Sequence, residues 1–318
     1  MYYNAEVKEM YLSSVLKERG TKYERGLARV FNFFAPCEEN ANVDLGRLSR
    51  DAVVAHLNTM ETYNYLTAYD YALAANNYRT WFATEINANY QTERPIDVQS
   101  DIDFVRPCRQ KLYQNIEEIL SELRSIDYDF FRGDEAAPAI CLAWLGLKVP
   151  SILNLKNECV NLQKGFITDE LGNIMISDIP EQILEVFVNY KSVKTSYRIL
   201  NGRQSVRQLD TGYFIHKMVR SNSQRGGSVS ARQLYARLDE ARRACEEKHG
   251  PNSCKFVPLE NVWTSGCFHR LYQLEKAGLD IYDKANFPML QKVLQGGENR
   301  MYGARYVYTQ YKKAFNLE

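Results

Sequence analysis

The feature that most constrains this fold is an almost wholly apolar segment from Ala136 to Leu147. A membrane-spanning helix needs about 20 apolar residues, so this shorter segment predicts a helix buried in a protein core. The preceding segment places apolar residues at helical spacing, at Leu112, Ile116, Ile119, Leu120, Leu123 and Ile126. A helix with one apolar face packs against a core, so the two segments together predict a helical domain.

The chain has 318 residues, enough for two domains. The first 90 residues predict four helices, one of which carries an apolar stripe and is expected to end at Ala35-Pro36. The stripe consists of Leu27, Val30, Phe31 and Phe34. The next helix is expected to begin after Ser49 as N-cap. Helical periodicity is lost between Gln91 and Arg106, so we predict a helical domain over 1–90, a linker over 91–108 and a second domain over 109–318.

The second domain is predicted to be helical with one small sheet. Phe166–Thr168 and Ile174–Ile176, separated by a segment that holds Gly172-Asn173, predict a short β-hairpin. Pro180 is expected to open the next helix because its φ angle is already set. The fold class predicted for the whole chain is therefore mostly α.

Positive charge is concentrated in one part of the chain. The net charge is +1, from 40 basic and 39 acidic residues. From Lys191 to Arg243, however, twelve basic residues stand against three acidic ones, with Tyr197, Tyr213 and Tyr235 among them. An arginine-rich segment with interleaved aromatic residues is typical of a surface that meets phosphates.

Other function classes find little support. No run approaches 18 apolar residues and the N-terminus lacks a signal-peptide pattern, so a cytoplasmic protein with no membrane partner is expected. The seven Cys residues are scattered without a CxxC pair, which argues against disulfides. Cys245, His249 and Cys254 match no zinc module, and no cofactor motif is found, so neither a metal nor a cofactor is expected.

Within the segment Leu145–Lys156, an apolar helix is expected to end at Gly-Leu-Lys and a new helix to begin near Ser151. In this pattern the chain resembles the tyrosine recombinase (phage integrase) family. Thr21–Phe34 and the Trp-bearing Asn77–Phe82 are similar to helices of that family's core-binding domain. The resemblance follows chain order through nearly all the sequence. It implies a tyrosine recombinase-like two-domain architecture, a helical core-binding domain plus a helical catalytic-like domain with a small sheet, closing around duplex DNA.

The catalytic pattern implied by the resemblance is degenerate. The family cleaves DNA with a Tyr nucleophile, two Arg guanidiniums that hold the phosphate, and Lys and His residues that move protons. Here the first Arg position holds Lys148, and the second, within 259–266, holds Trp263 and Thr264. Gly297 replaces a His, and Tyr308 stands about where the nucleophile would be, on a helix shared with Tyr302, Tyr306 and Tyr311. We therefore expect no cleavage activity and no catalytic residues.

The resemblance and the charge pattern together select candidate DNA-binding residues. Phosphate contacts are expected from Arg and Lys, and adenine contacts from Asn. The candidates are Lys22, Arg25, Asn76, Asn77, Arg79, Lys148, Lys156, Arg198, Arg203, Arg207, Arg220 and Arg225. Among recombinase-like proteins, prophage repressors lack the cleavage residues, so the resemblance implies a nucleoid-associated bacterial repressor that binds an operator and maintains lysogeny.

Two alternatives stay open. One is an active site-specific recombinase that uses Tyr308 as its nucleophile. The other is a helix-turn-helix regulator that reads DNA through residues 229–243. Further partners could be a phage-encoded regulator or a second copy bound through the Tyr-rich C-terminal segment Tyr302–Phe315.

Overall fold

A computed structural model of the chain describes residues 2–19, 21–87, 93–126, 136–192, 197–200, 203–207, 211–220, 227–294 and 298–317. Within these ranges, side chains are not described at 16–19, 22, 197–200, 203–207, 218–220 and 298–301. Helices account for most of the described chain, which confirms the mostly α class. Within those ranges, no helix combines the length and hydrophobicity that crossing a bilayer requires.

The chain divides into two compact units. The first unit consists of Met1–Arg109 and Gly296–Glu318, and the second of Gln110–Gln295. The helices of the first unit are α1 (Ala5–Arg19), α2 (Thr21–Ala41), α3 (Arg50–Asn58), α4 (Tyr65–Trp81) with a π-helical turn (Phe82–Ile86), α5 (Val98–Asp101), and α6 (Val105–Lys111), which ends at the boundary. The four helices expected in the first 90 residues are confirmed.

The apolar stripe of α2 forms the core of the first unit. Leu27, Val30, Phe31 and Phe34 are all buried. The expected stop at Ala35-Pro36 is wrong, because α2 continues through Pro36 to Ala41. A proline inside a helix costs about 3 kcal/mol. Glu38, in the helical turn after Pro36, is fully buried and paired with Lys8 at 2.5 Å. This contact holds the last part of α2 against the first unit.

The segment 91–108 is not the free linker expected from its sequence. From residue 93 it packs on the first unit and includes α5 and α6. Ile96, Val98, Ile102 and Phe104 are buried, and the Asn76 side chain forms hydrogen bonds with both the N–H and the C=O of Ile96. The periodicity is lost because short helical pieces alternate with extended backbone.

The C-terminal helix α14 (Glu298–Phe315) also belongs to the first unit, which corrects its predicted place in the second domain. It packs against α4, where a Cβ on Gly303 would lie 2.9 Å from the ring of Tyr65. The Tyr306 ring lies 5.5 Å from the ring of Tyr65, and its hydroxyl donates to the Gln99 carbonyl. The Tyr-rich segment thus packs within its own chain.

The second unit contains the predicted buried helix. Its helices are α7 (Ile116–Ile126), α8 (Ala136–Trp144), α9 (Val149–Asn154), α10 (Glu181–Ser192), α11 (Ala231–His249), α12 (Leu259–Lys276) and α13 (Phe287–Leu294). Every residue of α8 is buried, as its apolar sequence predicts. At Gly266, α12 crosses α8 so closely that a Cβ would lie 2.0 Å from the Trp144 carbonyl oxygen.

Two small antiparallel sheets lie in the second unit, where the sequence predicts one. The first, β1 (Val160–Asn161), β2 (Phe166–Thr168) and β3 (Ile174–Ile176), contains the predicted hairpin. The second is β4 (Tyr197–Leu200), β5 (Arg203–Arg207) and β6 (Met218–Arg220). The second sheet lies within the basic segment, so its arginines stand on strands.

Candidate functional site

The turn between α8 and α9 is held in place by α12. Gly146 has a φ of 105°, a left-handed conformation that favours glycine. The indole Nε1 of Trp263 donates to the Gly146 carbonyl at 3.0 Å, and Arg270 donates to the Trp144 carbonyl at 2.6 Å. Lys148, which follows this turn as the residue before α9, therefore has a fixed backbone position.

Lys148 lies against an aromatic ring. Its ammonium Nζ is 4.7 Å from the centroid of the Trp263 ring, within the range of a cation–π interaction. The side chain is half-buried and, in the part of the chain that the structure describes, pairs with no carboxylate. The structure thus brings together two positions at which the sequence departs from the recombinase pattern. Thr264, the next residue, is only 8% exposed.

Lys156 repeats this arrangement at the other end of α9. Its Nζ is 4.0 Å from the centroid of the Tyr213 ring, and the two residues form an antiparallel bridge. The Phe214 N–H donates to the Leu155 carbonyl at 2.8 Å, which ties the segment to the end of α9. Like Lys148, Lys156 is half-buried and has no carboxylate partner among the described residues.

Several other basic residues of this segment are engaged by groups of the chain itself. Lys191 donates to the side chain of Asn157 at 2.5 Å and to the carbonyl of Phe214 at 2.9 Å, and its Nζ is 2.8 Å from His216 Nε2. On α11, Arg242 and Arg243 both pair with Asp239, at 2.7 and 2.5 Å. Lys191, Arg242 and Arg243 are therefore less available to a ligand than the sequence alone suggests.

Four candidate arginines lie on the second sheet. Arg198 is on β4, Arg203 and Arg207 are on β5, and Arg220 is on β6. Only their backbone positions are described. Two other predicted positions, Arg225 and Gly297, lie outside the described residues.

The first unit uses two of the candidates for its own structure. Arg79 is 3% exposed and donates to the Leu48 carbonyl at 3.1 Å and to Glu93 at 3.0 Å. The amide of Asn76 is engaged by the backbone of Ile96. These two side chains bind groups inside the first unit, whereas the sequence analysis predicts them on a surface that contacts DNA.

The other candidates of the first unit differ in exposure. Arg25 is exposed on α2, Asn77 is half-buried on α4, and the side chain of Lys22 is outside the described part.

Tyr308 is part of the core of the first unit. It is fully buried on α14, and its ring stacks on that of Tyr311 with centroids 6.4 Å apart. Lys148 and Trp263 belong to the second unit, so the sequence-predicted catalytic positions are divided between the two units.

Two parts of the site escape the sequence analysis. The role of Tyr213 under Lys156 depends on a bridge between residues 57 positions apart, for which a single sequence holds no signal. The second sheet does leave a signal, because Arg203, Ser205 and Arg207 alternate with Gln204 and Val206. A period of two indicates a strand, but five residues are too few for it to stand out.

Comparison with known proteins gives a likeness to solved structures but none to a curated sequence. No protein-family model matches the chain, and no curated protein sequence does. Among solved structures, the chain is similar to a crystal structure of XerA recombinase, with 13% identity and a TM-score of 0.40, over 99% of this chain and 98% of that chain. A likeness at this level bears on neither the activity nor the individual site residues.

Proposed function

We propose that this protein binds duplex DNA without cleaving it. The observation that carries the proposal is the pair of lysines that flank α9. Lys148 and Lys156 are each held over an aromatic ring, and neither pairs with a carboxylate among the described residues. A positioned lysine that lacks a carboxylate partner in its own chain is stabilised when it binds an external anion. The phosphates of DNA form a regular row of such anions.

Two features support binding without cleavage. Lys148 is a point charge, and it cannot make the planar, bidentate contact with which Arg holds a phosphate as charge develops. Trp263 beside it offers one N–H, already donated to Gly146. The loss of a single oxyanion donor costs about 10²–10³ in rate, and Tyr308, the nucleophile candidate, is buried.

The regulatory role is proposed from the resemblance. A recombinase-like protein without cleavage residues resembles the master repressor of SPβ-type Bacillus prophages. We propose a nucleoid-associated transcriptional repressor that binds phage operators and maintains lysogeny, with a phage-encoded regulator or self-association as a means of control. Genome-wide mapping of its DNA sites in the native host tests this role, and binding without clustering at promoters would argue against it.

The DNA contact is tested by the salt dependence of binding. A mixed-sequence duplex of about 21 base pairs, two helical turns, is the probe, and fluorescence anisotropy gives the affinity. Each phosphate contact contributes about 0.9 to the slope of log K against log salt, so Lys148→Gln with Lys156→Gln should lower the slope by about 1.8. Lys284→Gln, an exposed lysine of the same unit, is the matched control and should leave it unchanged.

The recombinase alternative is decided by a covalent adduct. Operator fragments recovered from the mapping would be nicked to form suicide substrates, which trap a protein–DNA bond if cleavage occurs. An adduct that forms with the unsubstituted protein and disappears in Tyr308→Phe would establish cleavage and refute that part of the proposal.

The helix-turn-helix alternative keeps one supporting observation. Ser230 and Gln233 form a capping box at the start of α11, and Arg232 and Tyr235 are exposed on its first turns. The opposite face of α11 is buried in the core of the second unit. If Arg232→Ala with Tyr235→Ala abolished operator binding while the lysine variants did not, this alternative would replace the proposed site.

A further inference from the structure

The register of the second sheet gathers four arginines on one face. Arg198 of β4 and Arg220 of β6 both lie opposite Ser205 of the central strand β5. Directly paired residues share a face, and residues two apart along a strand do so as well. Arg203 and Arg207, on either side of Ser205, therefore stand on the same face. We call these four positions, Arg198, Arg203, Arg207 and Arg220, the arginine face.

The opposite face has a different composition. Tyr197, Val206 and Val219 are paired across the three strands, and Ile199 pairs with Gln204 in the next row. This face carries no charged residue, and the three strands contain no Asp or Glu at all. The same register places Leu200 and Met218 on the arginine face, so the two faces differ in charge: one carries none, and the other carries only positive charges.

The dimensions of the arginine face follow from strand geometry. Arg203 and Arg207 are four residues apart, which is about 14 Å at roughly 3.4 Å per residue. Arg198 and Arg220 are separated by two strand spacings, about 10 Å. The four positions thus form a diamond around Ser205 that is comparable in size to the major groove of B-DNA, which is about 12 Å wide and admits a two-stranded β-ribbon.

We infer that the arginine face is a second DNA-contacting surface of this protein, which lies over the major groove and binds phosphates on its two sides. The inference rests on the proposed function and names a further site for it. Guanidinium groups suit phosphate because they donate two parallel hydrogen bonds and stay charged at all physiological pH values. The sheet adds affinity and orientation to the contacts of Lys148 and Lys156, and it needs no catalytic residue.

The test measures the salt slope on the same mixed-sequence duplex. Replacing the four arginines with Gln should lower the slope by about 3.6, roughly 0.9 for each contact. Between about 50 and 200 mM salt, the loss of affinity should then be smaller by roughly 100-fold than for the unsubstituted protein. Each single Arg→Gln variant should lower the slope by about 0.9, which keeps the test valid if the fourfold variant does not fold.

Two controls separate charge from structure. Replacing the four arginines with Lys keeps the charges and should keep the slope. Arg243→Gln on α11 removes an arginine whose charge is already paired with Asp239 at 2.5 Å, and it should also leave the slope unchanged. Circular dichroism establishes that each variant is folded.

The outcomes distinguish this inference from the proposed function. If the unsubstituted protein does not bind the duplex, the proposed function fails. If the Lys148 and Lys156 variants lower the slope and the folded arginine variants do not, the inference alone is refuted. Binding to phosphatidylserine–phosphatidylcholine vesicles that exceeds binding to DNA, and that is lost in the arginine variants, would also overturn it, in favour of a membrane surface.

Discussion

Replacing Lys8 with Met should destabilise the first unit strongly. Lys8 is fully buried, and its ammonium donates to Glu38 at 2.5 Å, to Asp44 at 3.2 Å and to the Tyr3 carbonyl at 3.1 Å. Methionine fills nearly the same space but leaves two buried carboxylates without a cation. Removal of one partner from a buried ion pair costs about 3–5 kcal/mol.

The lower end of this range applies here, because other donors to the carboxylates remain. The Leu45 N–H still donates to Glu38, and the Tyr78 hydroxyl still donates to Asp44. We therefore expect a loss of about 3 kcal/mol at neutral pH, a large part of the 5–15 kcal/mol that stabilises a typical domain. Burial already raises the pKa of Glu38, so its carboxylate takes up a proton readily and the loss should shrink in acid.

The assay must report on the first unit alone, because a chain with two units need not unfold in one transition. Hydrogen exchange of peptides from α1 and α2, followed through urea unfolding, meets this need. Lys313→Met, an exposed lysine on α14, is the matched control and should change stability by less than about 0.5 kcal/mol. Adding Glu38→Gln to Lys8→Met should recover part of the loss. A loss below about 1 kcal/mol for Lys8→Met would refute the reasoning.

Three further predictions concern single side chains. Gly266→Ala should destabilise the second unit by more than the roughly 1–3 kcal/mol that an extra methylene in a packed core typically costs, because the new Cβ would lie 2.0 Å from the Trp144 carbonyl oxygen. A melting temperature equal to that of the unsubstituted protein would contradict this. Burial raises the pKa of Glu122 above its ordinary value of 4.5, so the stability that its protonated form contributes is complete below that pH and is lost as pH rises through the raised pKa. Glu122→Gln, which stays neutral, should therefore gain stability relative to the unsubstituted protein as pH rises above about 4.5 in urea titrations, and a constant difference would count against this. Asn76→Ala removes two hydrogen bonds to Ile96 and should cost about 1–3 kcal/mol, seen as faster hydrogen exchange around residue 96; unchanged exchange there would count against this.

The sequence predicts those parts of the fold whose pattern is long and local. The stripe of α2 and the wholly apolar α8 repeat over several turns, and both are buried as predicted. Pro36 shows where a local rule fails, since α2 continues past the proline to Glu38, whose buried pair with Lys8 no local pattern predicts. The placement of α14 in the first unit depends on contacts with Tyr65 and Gln99, some 200 residues earlier in the chain.

The candidate site divides in the same way. Lys148 can be predicted because it lies in a contiguous motif. Its contact with Trp263 becomes visible only when α12 is seen to cross α8. Arg79 and Asn76 have the residue types expected on a DNA surface but satisfy buried groups instead. Residue type alone cannot separate these two uses, because the same hydrogen-bonding groups serve both.

The return of α14 to the first unit determines when that unit can be completed during synthesis. Arg109 and Glu298 are separated by the whole second unit, so the ribosome must finish that unit before the helix that covers α4 exists. At about 5–20 residues per second, this interval is roughly 10–40 s. During that time the surface of α4 around Tyr65, which α14 half-buries in the finished chain, stays without its cover. We therefore expect nascent chains of this protein to expose this aromatic surface to chaperones until synthesis is complete.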